Sequence, residues 1–392
     1  QCQFVLDHSK MAYAQLVAAN ALRKLAVTSW NHMPPAHQID FRNYLLSYLA
    51  QRGPSCEPFV STSLVKIVAA VTKLGWFTSE EHQQIVGEVS KFLHATPGHL
   101  ILGLQLLLQL VTEVNTSAGT RSITQQRKVS SSFRDVALYQ ILQLGLSTLQ
   151  QLATNAIPAS ADEIAKIREC TLGVVLSCLT FDFIGTTIDE ASEETGTIQL
   201  PSSWRPTVEE RSTTDVFFDI YATAPAGPSS SKALEVLVQL ASLRRSLFSS
   251  DEERQAFLER LVRGTLSILQ PQHGLTNHAN YHELCRLLVR LKANYQLSEL
   301  VHVGCYHEWI TLIASFTIDS FKHWQWAANS IHYLLSLWSR LVASMSYLKG
   351  DVPSQLESFV PQVIAAFIAS RMELVRALQP PDDADPGVDL DD

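Results

Sequence analysis

Apolar residues return at steps of three and four through most of this chain, the spacing that lays one apolar stripe along an α-helix. Met11, Ala14, Ala18, Leu22 and Leu25 predict a helix over Ser9–Ala26, with Ser9 placed to cap it. Trp30 and Pro34-Pro35 mark a turn. Ala36–Arg52 predicts the next helix, stopped by Gly53-Pro54. Val60, Leu64, Ile67, Val68, Val71 and Leu74 share one face of a helix over Pro58–Leu74, with Lys66 and Lys73 a heptad apart on another. Further helices are expected over Ser79–Leu93, Pro97–Asn115, Ser131–Leu152 and Ala161–Thr180, with a polar loop holding Arg121, Arg127 and Lys128 before Ser131. The same pattern predicts Ser230–Phe248, Asp251–Leu269, Tyr281–Ala293, His307–Phe316, Ser320–Tyr347 and Ser354–Leu378.

No stretch alternates apolar and polar residues between turn signals, so no sheet is expected. Helices paired at roughly 40-residue intervals have the period of HEAT-type arrays. Such pairs cannot bury their apolar faces alone and do so by stacking, which predicts an all-α, right-handed α-solenoid with one concave wall. A bundle or a globular all-α enzyme domain is the structural rival. One interruption stands out within Leu172–Tyr221: an acidic, Ser/Thr-rich loop with Asp189, Glu190, Glu193 and Glu194, then a turn at Pro201–Pro206. Connections that long in a compact array are functional or disordered segments.

Composition sharpens this picture in four ways. Gly, at 16 of 392 residues, is sparse, as suits many helices and few tight turns. The formal charge of −8 owes much to the six aspartates of Asp382–Asp392, so the body is nearly neutral. That balance argues against nucleic acid as a partner, since a basic stripe is missing. The most apolar run, Leu100–Val111, is broken by Gln105 and Gln109 and falls short of a membrane span, so it reads as a buried helix. The scattered cysteines contain no Cys-x-x-Cys pair, which points to free thiols in a reducing compartment.

Candidate chemistry is thin. His278 and His282 are four apart with Cys285 one turn on, and Cys305 or His307 could complete a zinc set. Pro271–Asn280 has loop composition, however, so the shared helical face fails at His278 and no metal site is assigned. There is no G-x-S-x-G, P-loop or G-x-G-x-x-G, and Glu193-Glu194 lie in a polar loop where nothing would raise a carboxylate pKa. No catalytic residue and no cofactor are expected. The pairs Arg127-Lys128 and Arg244-Arg245 read as solvated helix ends.

Ala14–Arg52, AQLVAANALRKLAVTSWNHMPPAHQIDFRNYLLSYLAQR, is similar to the amino-terminal domain of importin-β-type nuclear transport receptors. More specific are VTKLGWF (Val71–Phe77), RKVSSSFRD (Arg127–Asp135), LTFDFIGTTIDE (Leu179–Glu190), PSSWR (Pro201–Arg205), RRSLF (Arg244–Phe248), NYHELCRLLVRLKANYQLSEL (Asn280–Leu300) and HYLLSLWSRL (His332–Leu341). Together they resemble the exportin-7 family of those receptors, over roughly its amino-terminal third. The resemblance implies a HEAT superhelix that binds Ran-GTP and protein cargo together, crosses the nuclear pore through phenylalanine–glycine nucleoporins, and shuttles between nucleus and cytoplasm. It implies a domain of that type at 1–52, with its first helix missing before Gln1, continuing repeats over 53–378 with an acidic insert near 185–210, and an acidic loop or tail at 379–392. Ran would meet the inner, second helices of the first repeats, which selects Gln15, Arg23, Lys66 and Lys73. Asp189, Glu190, Glu193 and Glu194 would meet a basic patch on Ran or cargo. The competing reading is a HEAT scaffold of a stable complex without Ran dependence.

Overall fold

A computed structural model describes residues 1–116, 122–182, 196–348 and 353–378. The chain is all-α: among the described residues no strand forms, and Ile198 and Leu243 make one isolated bridge. It divides into two compact units, Gln1–Arg254 and Gln255–Asp392. The acidic stretch Asp189–Glu194 and the tail 379–392 lie outside the described residues.

The first unit begins with α1 (Cys2–His8), α2 (Ala12–Ser29), α3 (Pro35–Arg52) and α4 (Pro58–Gly75). Then come α5 (Glu80–Gln83), α6 (Ile85–Leu93), α7 (Pro97–Asn115), α8 (Ile123–Phe133), α9 (Tyr139–Ala153) and α10 (Ala161–Leu179). It continues with α11 (Arg205–Glu209), α12 (Arg211–Thr223) and α13 (Pro228–Leu240). Antiparallel pairs are α1 with α2, α3 with α4, α6 with α7, α9 with α10, and α12 with α13. The second helices stack directly, α2 on α4, α4 on α7, α7 on α10 and α10 on α13, while the first helices touch one another sparsely. A stack whose second helices sit closer than its first bends toward the second helices. Their solvent face is therefore the inner wall of this unit.

Several expectations change here. Cys2–His8 folds as α1 against α2, where the sequence pattern left no helix before Ser9. The run is short and only Leu6 of it is buried, so its periodicity is too brief to register. Arg127 and Lys128 sit inside α8 rather than in a loop, because Ser122 caps that helix at the Gln125 amide. A π-helical turn over Arg134–Leu138 then joins α8 to α9. Helix α13 stops at Leu240, not Phe248. The chain beyond it instead receives the returning insert: Ile198 donates to the Ser242 carbonyl (2.9 Å), Arg244 Nε to Thr197 Oγ1 (3.0 Å), and Ser249 Oγ to the Glu209 carboxylate (2.8 Å). Helix α7 is nineteen residues, long and apolar enough by composition to cross a bilayer, as is α4. Both spend that surface on neighbouring helices, α7 packing on α4, α6 and α10.

The second unit takes up α14 (Asp251–Leu269) just after its first residues, then α15 (His278–Asn294), α16 (Leu297–Leu300), α17 (Tyr306–Ser320), α18 (Trp324–Met345) and α19 (Ser354–Leu378). Helix α15 packs on α18, and α17 on both α18 and α19. Two tryptophans tie it together: Trp309 Nε1 donates to Thr265 Oγ1 (2.9 Å) and Trp338 Nε1 to Thr317 Oγ1 (3.0 Å), all inside the core. Buried indoles need such partners, since an orphaned N–H costs its desolvation.

Candidate partner-binding face on the second helices

Lys66 and Arg23 are exposed, on α4 and α2 respectively. Ser63 Oγ donates to Asn20 Oδ1 at 3.2 Å, fixing the register between the two helices. They run in the same direction, since their carboxyl ends (Val27 and Trp30, Leu74 and Phe77) line one cavity. Arg23 lies one turn past Asn20 and Lys66 one turn past Ser63, so the two cations stand at the same level on adjacent helices. Lys24, also exposed, joins them. The result is a small basic patch on a wall otherwise carrying Asn20, Ser63 and Thr62.

Gln15 and Lys73 are placed differently. Gln15 is half-buried and donates from Nε2 to the Ser9 carbonyl (2.9 Å), which ties down the α1–α2 turn. Lys73 is buried, and its Nζ donates to the carbonyls of Glu113 (2.6 Å) and Thr116 (2.8 Å) at the end of α7. A cation there satisfies helix-end carbonyls and complements the negative end of the dipole. The structure thus leaves Arg23 and Lys66 exposed on adjacent helices and buries Lys73 against the end of α7.

Behind this wall lies a polar core that the sequence did not reveal. Arg42 on α3 is fully buried and donates from Nη2 to both carboxylate oxygens of Glu88, at 2.9 and 3.1 Å. His82 is also fully buried, edge-on to Trp30 at 6.0 Å between ring centroids. Neither of its ring nitrogens has a hydrogen-bond partner among the described residues. Burial first, then the neighbouring Arg42 charge, push its imidazole down to about 4, so it is neutral at physiological pH. Gly75 makes room for it: a Cβ there would press directly on His82 Nε2.

The motifs singled out above are largely packing. In VTKLGWF, Val71 and Trp76 are buried, and Trp76 Nε1 donates to Ser132 Oγ (3.0 Å) in the middle of RKVSSSFRD. Trp204 of PSSWR is buried against Tyr139, with ring centroids 5.5 Å apart. Phe77 is the exception, 60% exposed at the mouth of the cavity shared with Val27, Trp30 and Lys128. His278 and His282 do share α15, contrary to the loop reading, because Asn277 caps the helix at Ala279 and Asn280. Their rings are otherwise engaged: His278 stacks on Trp326 (4.2 Å) and His282 Nδ1 meets Ser330 Oγ (3.0 Å).

Residues 1–51, which hold α1, α2 and most of α3, match the importin-beta N-terminal domain. Over 96% of its length the chain is 43% identical to exportin-7-A of Xenopus laevis, 42% to Ran-binding protein 17 of Homo sapiens, and 41% to Ran-binding protein 16 of Drosophila melanogaster. It spans 35%, 34% and 34% of those proteins respectively, about a third of their length. By sequence the chain is a homologue of exportin-7 and of Ran-binding proteins 16 and 17 and fits the amino-terminal portion of such proteins, and its stacked helix pairs are those of an importin-β-type helical-repeat protein.

Proposed function

We propose that this chain is the amino-terminal portion of a nuclear export receptor, one that binds Ran-GTP and protein cargo cooperatively and carries cargo through the nuclear pore. The observation that supports it most is the basic patch of Arg23, Lys24 and Lys66 on the inner wall of the first two helix pairs, within and next to the importin-beta N-terminal domain. In this reading Arg23 and Lys66 touch Ran, while Gln15 and Lys73 hold the helices that present them. Residues 1–52 act as the Ran-facing domain and 53–378 continue the repeats.

Ran-GTP and cargo would each favour one pitch of the stack, so each raises the affinity of the other by the same factor. The acidic residues Asp189, Glu190, Glu193 and Glu194 would meet a basic patch on Ran or cargo; changing all four to their amides should weaken binding at low salt, and unchanged binding removes them from the reading. The receptor would move between nucleus and cytoplasm, touching phenylalanine–glycine nucleoporins weakly on the way. No catalytic group enters this function. The test is retention on immobilised Ran: the chain should be held by Ran locked with GTP and released by Ran with GDP. Equal retention on both would favour a scaffold without Ran dependence.

A further inference from the structure

A second surface feature lies in the second unit, independent of the Ran reading. The carboxyl ends of α15 and α18 and the start of α16 enclose a cavity of about 550 Å³, lined by Lys292, Asn294, Gln296, Ser298, Ser344 and Tyr347. Lys292 is only 7% exposed, yet its ammonium makes no hydrogen bond or ion pair with any described residue. Its stem is buried while its ammonium opens on the cavity without a hydrogen-bonding partner of its own.

The groups around Lys292 do not supply one. Glu299 is the nearby acid, but its carboxylate accepts from the Gln296 amide at 2.7 Å. Glu283, one face earlier on α15, is paired with Arg286 at 2.9 Å. The helix-end carbonyls have donors of their own: Tyr295 N bonds Leu291 O, Asn294 Nδ2 bonds Arg290 O, and Ser344 Oγ bonds Arg340 O. Meanwhile Arg340, one turn before Ser344 on α18, adds a second positive charge close enough to disfavour the Lys292 ammonium. Its Nε donates to Ser336 Oγ over a long 3.4 Å. Burial and then Arg340 hold the Lys292 pKa below the usual lysine range, as befits a site short of negative charge.

We infer that this cavity is an anion site whose ligand is a phosphate monoester, held by Lys292 with the Tyr347 hydroxyl and Gln296 amide at its edge, while Arg340, one turn before the lining residue Ser344, adds positive charge from just outside the lining. Two cations from different helices, with neutral donors beside them, suit a group of nearly two negative charges and three terminal oxygens better than a single carboxylate. The group can arrive on a phosphorylated serine or threonine of a partner protein, or as a free small phosphate.

Calorimetric titration of the chain with inorganic phosphate, and with a phosphoserine peptide beside its unphosphorylated form, tests this. Saturable binding of at least one phosphate probe is expected, weakened about tenfold or more in Lys292→Met and in Arg340→Gln. Lys322→Met, at an exposed lysine paired with Asp319, should bind as the parent chain does. Tighter binding of the phosphopeptide than of phosphate assigns the group to a partner, and the reverse assigns it to a free anion; both uphold the site. Arg340→Gln, at a half-exposed position, decides the matter if Lys292→Met does not fold. No saturable binding up to about 10 mM of either probe, or undiminished binding in the variants, overturns the inference.

Discussion

Lys73 on α4 donates to the carbonyl of Thr116 at the end of α7, 2.8 Å away and 43 residues on in sequence. Lys66, a heptad earlier on the same helix, is open to solvent. The two lysines of one sequence stripe therefore do opposite jobs, one locking repeats together and one presented outward. Lys73→Met should leave the Glu113 and Thr116 carbonyls short of a donor and lower stability by about 1–3 kcal/mol in urea titration. Any loss of Ran affinity in that variant should track the lost stability, whereas Lys66→Glu should weaken Ran with its urea midpoint unmoved.

Gly75 and His82 fit as a pair. Gly75→Ala drives a methyl into the buried imidazole, which Trp30 and the rest of the core hold in place. A destabilisation of roughly 1–3 kcal/mol is expected, as for other overpacked cores. Gly75→Ala combined with His82→Ala should recover part of that loss relative to the sum of the single changes. Strict additivity would mean the two do not press on each other.

His82 also sets a pH dependence. Its imidazole titrates at about 4 in the fold against 6.5 for a free imidazole, so the unfolded chain binds more protons between those values. Stability then rises with pH across that window. The contribution is complete above about pH 6.5 and is lost as pH falls toward 4, a swing of roughly 3 kcal/mol. Urea titrations at pH 7 and pH 4.5 should show a steeper acid loss in the parent chain than in His82→Gln; equal losses contradict the assignment.

In the second unit, Thr265→Val removes the acceptor of the buried Trp309 indole while keeping the side chain's shape. A loss of about 1–3 kcal/mol is expected, the cost of an orphaned buried N–H. Trp309→Phe in the Thr265→Val background should then cost less than in the parent chain, which a double-mutant cycle would read directly.

The helices themselves were legible because each long one repeats its apolar stripe several times, as α4, α7 and α10 do. Shorter or interrupted elements were not: α1 has one buried side chain, and α8 owes its start to a single serine cap. Helix α13 ends early because the returning insert, from a distant part of the chain, takes the backbone of Ser242. The candidate face was half legible. Spacing puts Lys66 and Lys73 on one stripe, but which lysine reaches a neighbouring helix end depends on where α7 stops beside α4, a tertiary fact. Arg42 and His82 are buried polar groups of the kind that hydrophobic patterning assigns to the surface.

The inner wall of the first two helix pairs as the Ran-binding face is tested most directly by titrating Ran, loaded with GTP or with GDP, onto the chain and onto Arg23→Glu/Lys66→Glu. The GTP form should bind at least about tenfold more tightly than the GDP form, and the double reversal should remove most of that binding with the melting temperature held. Equal affinity for the two nucleotide states, or full affinity in the reversed variant, would contradict the account.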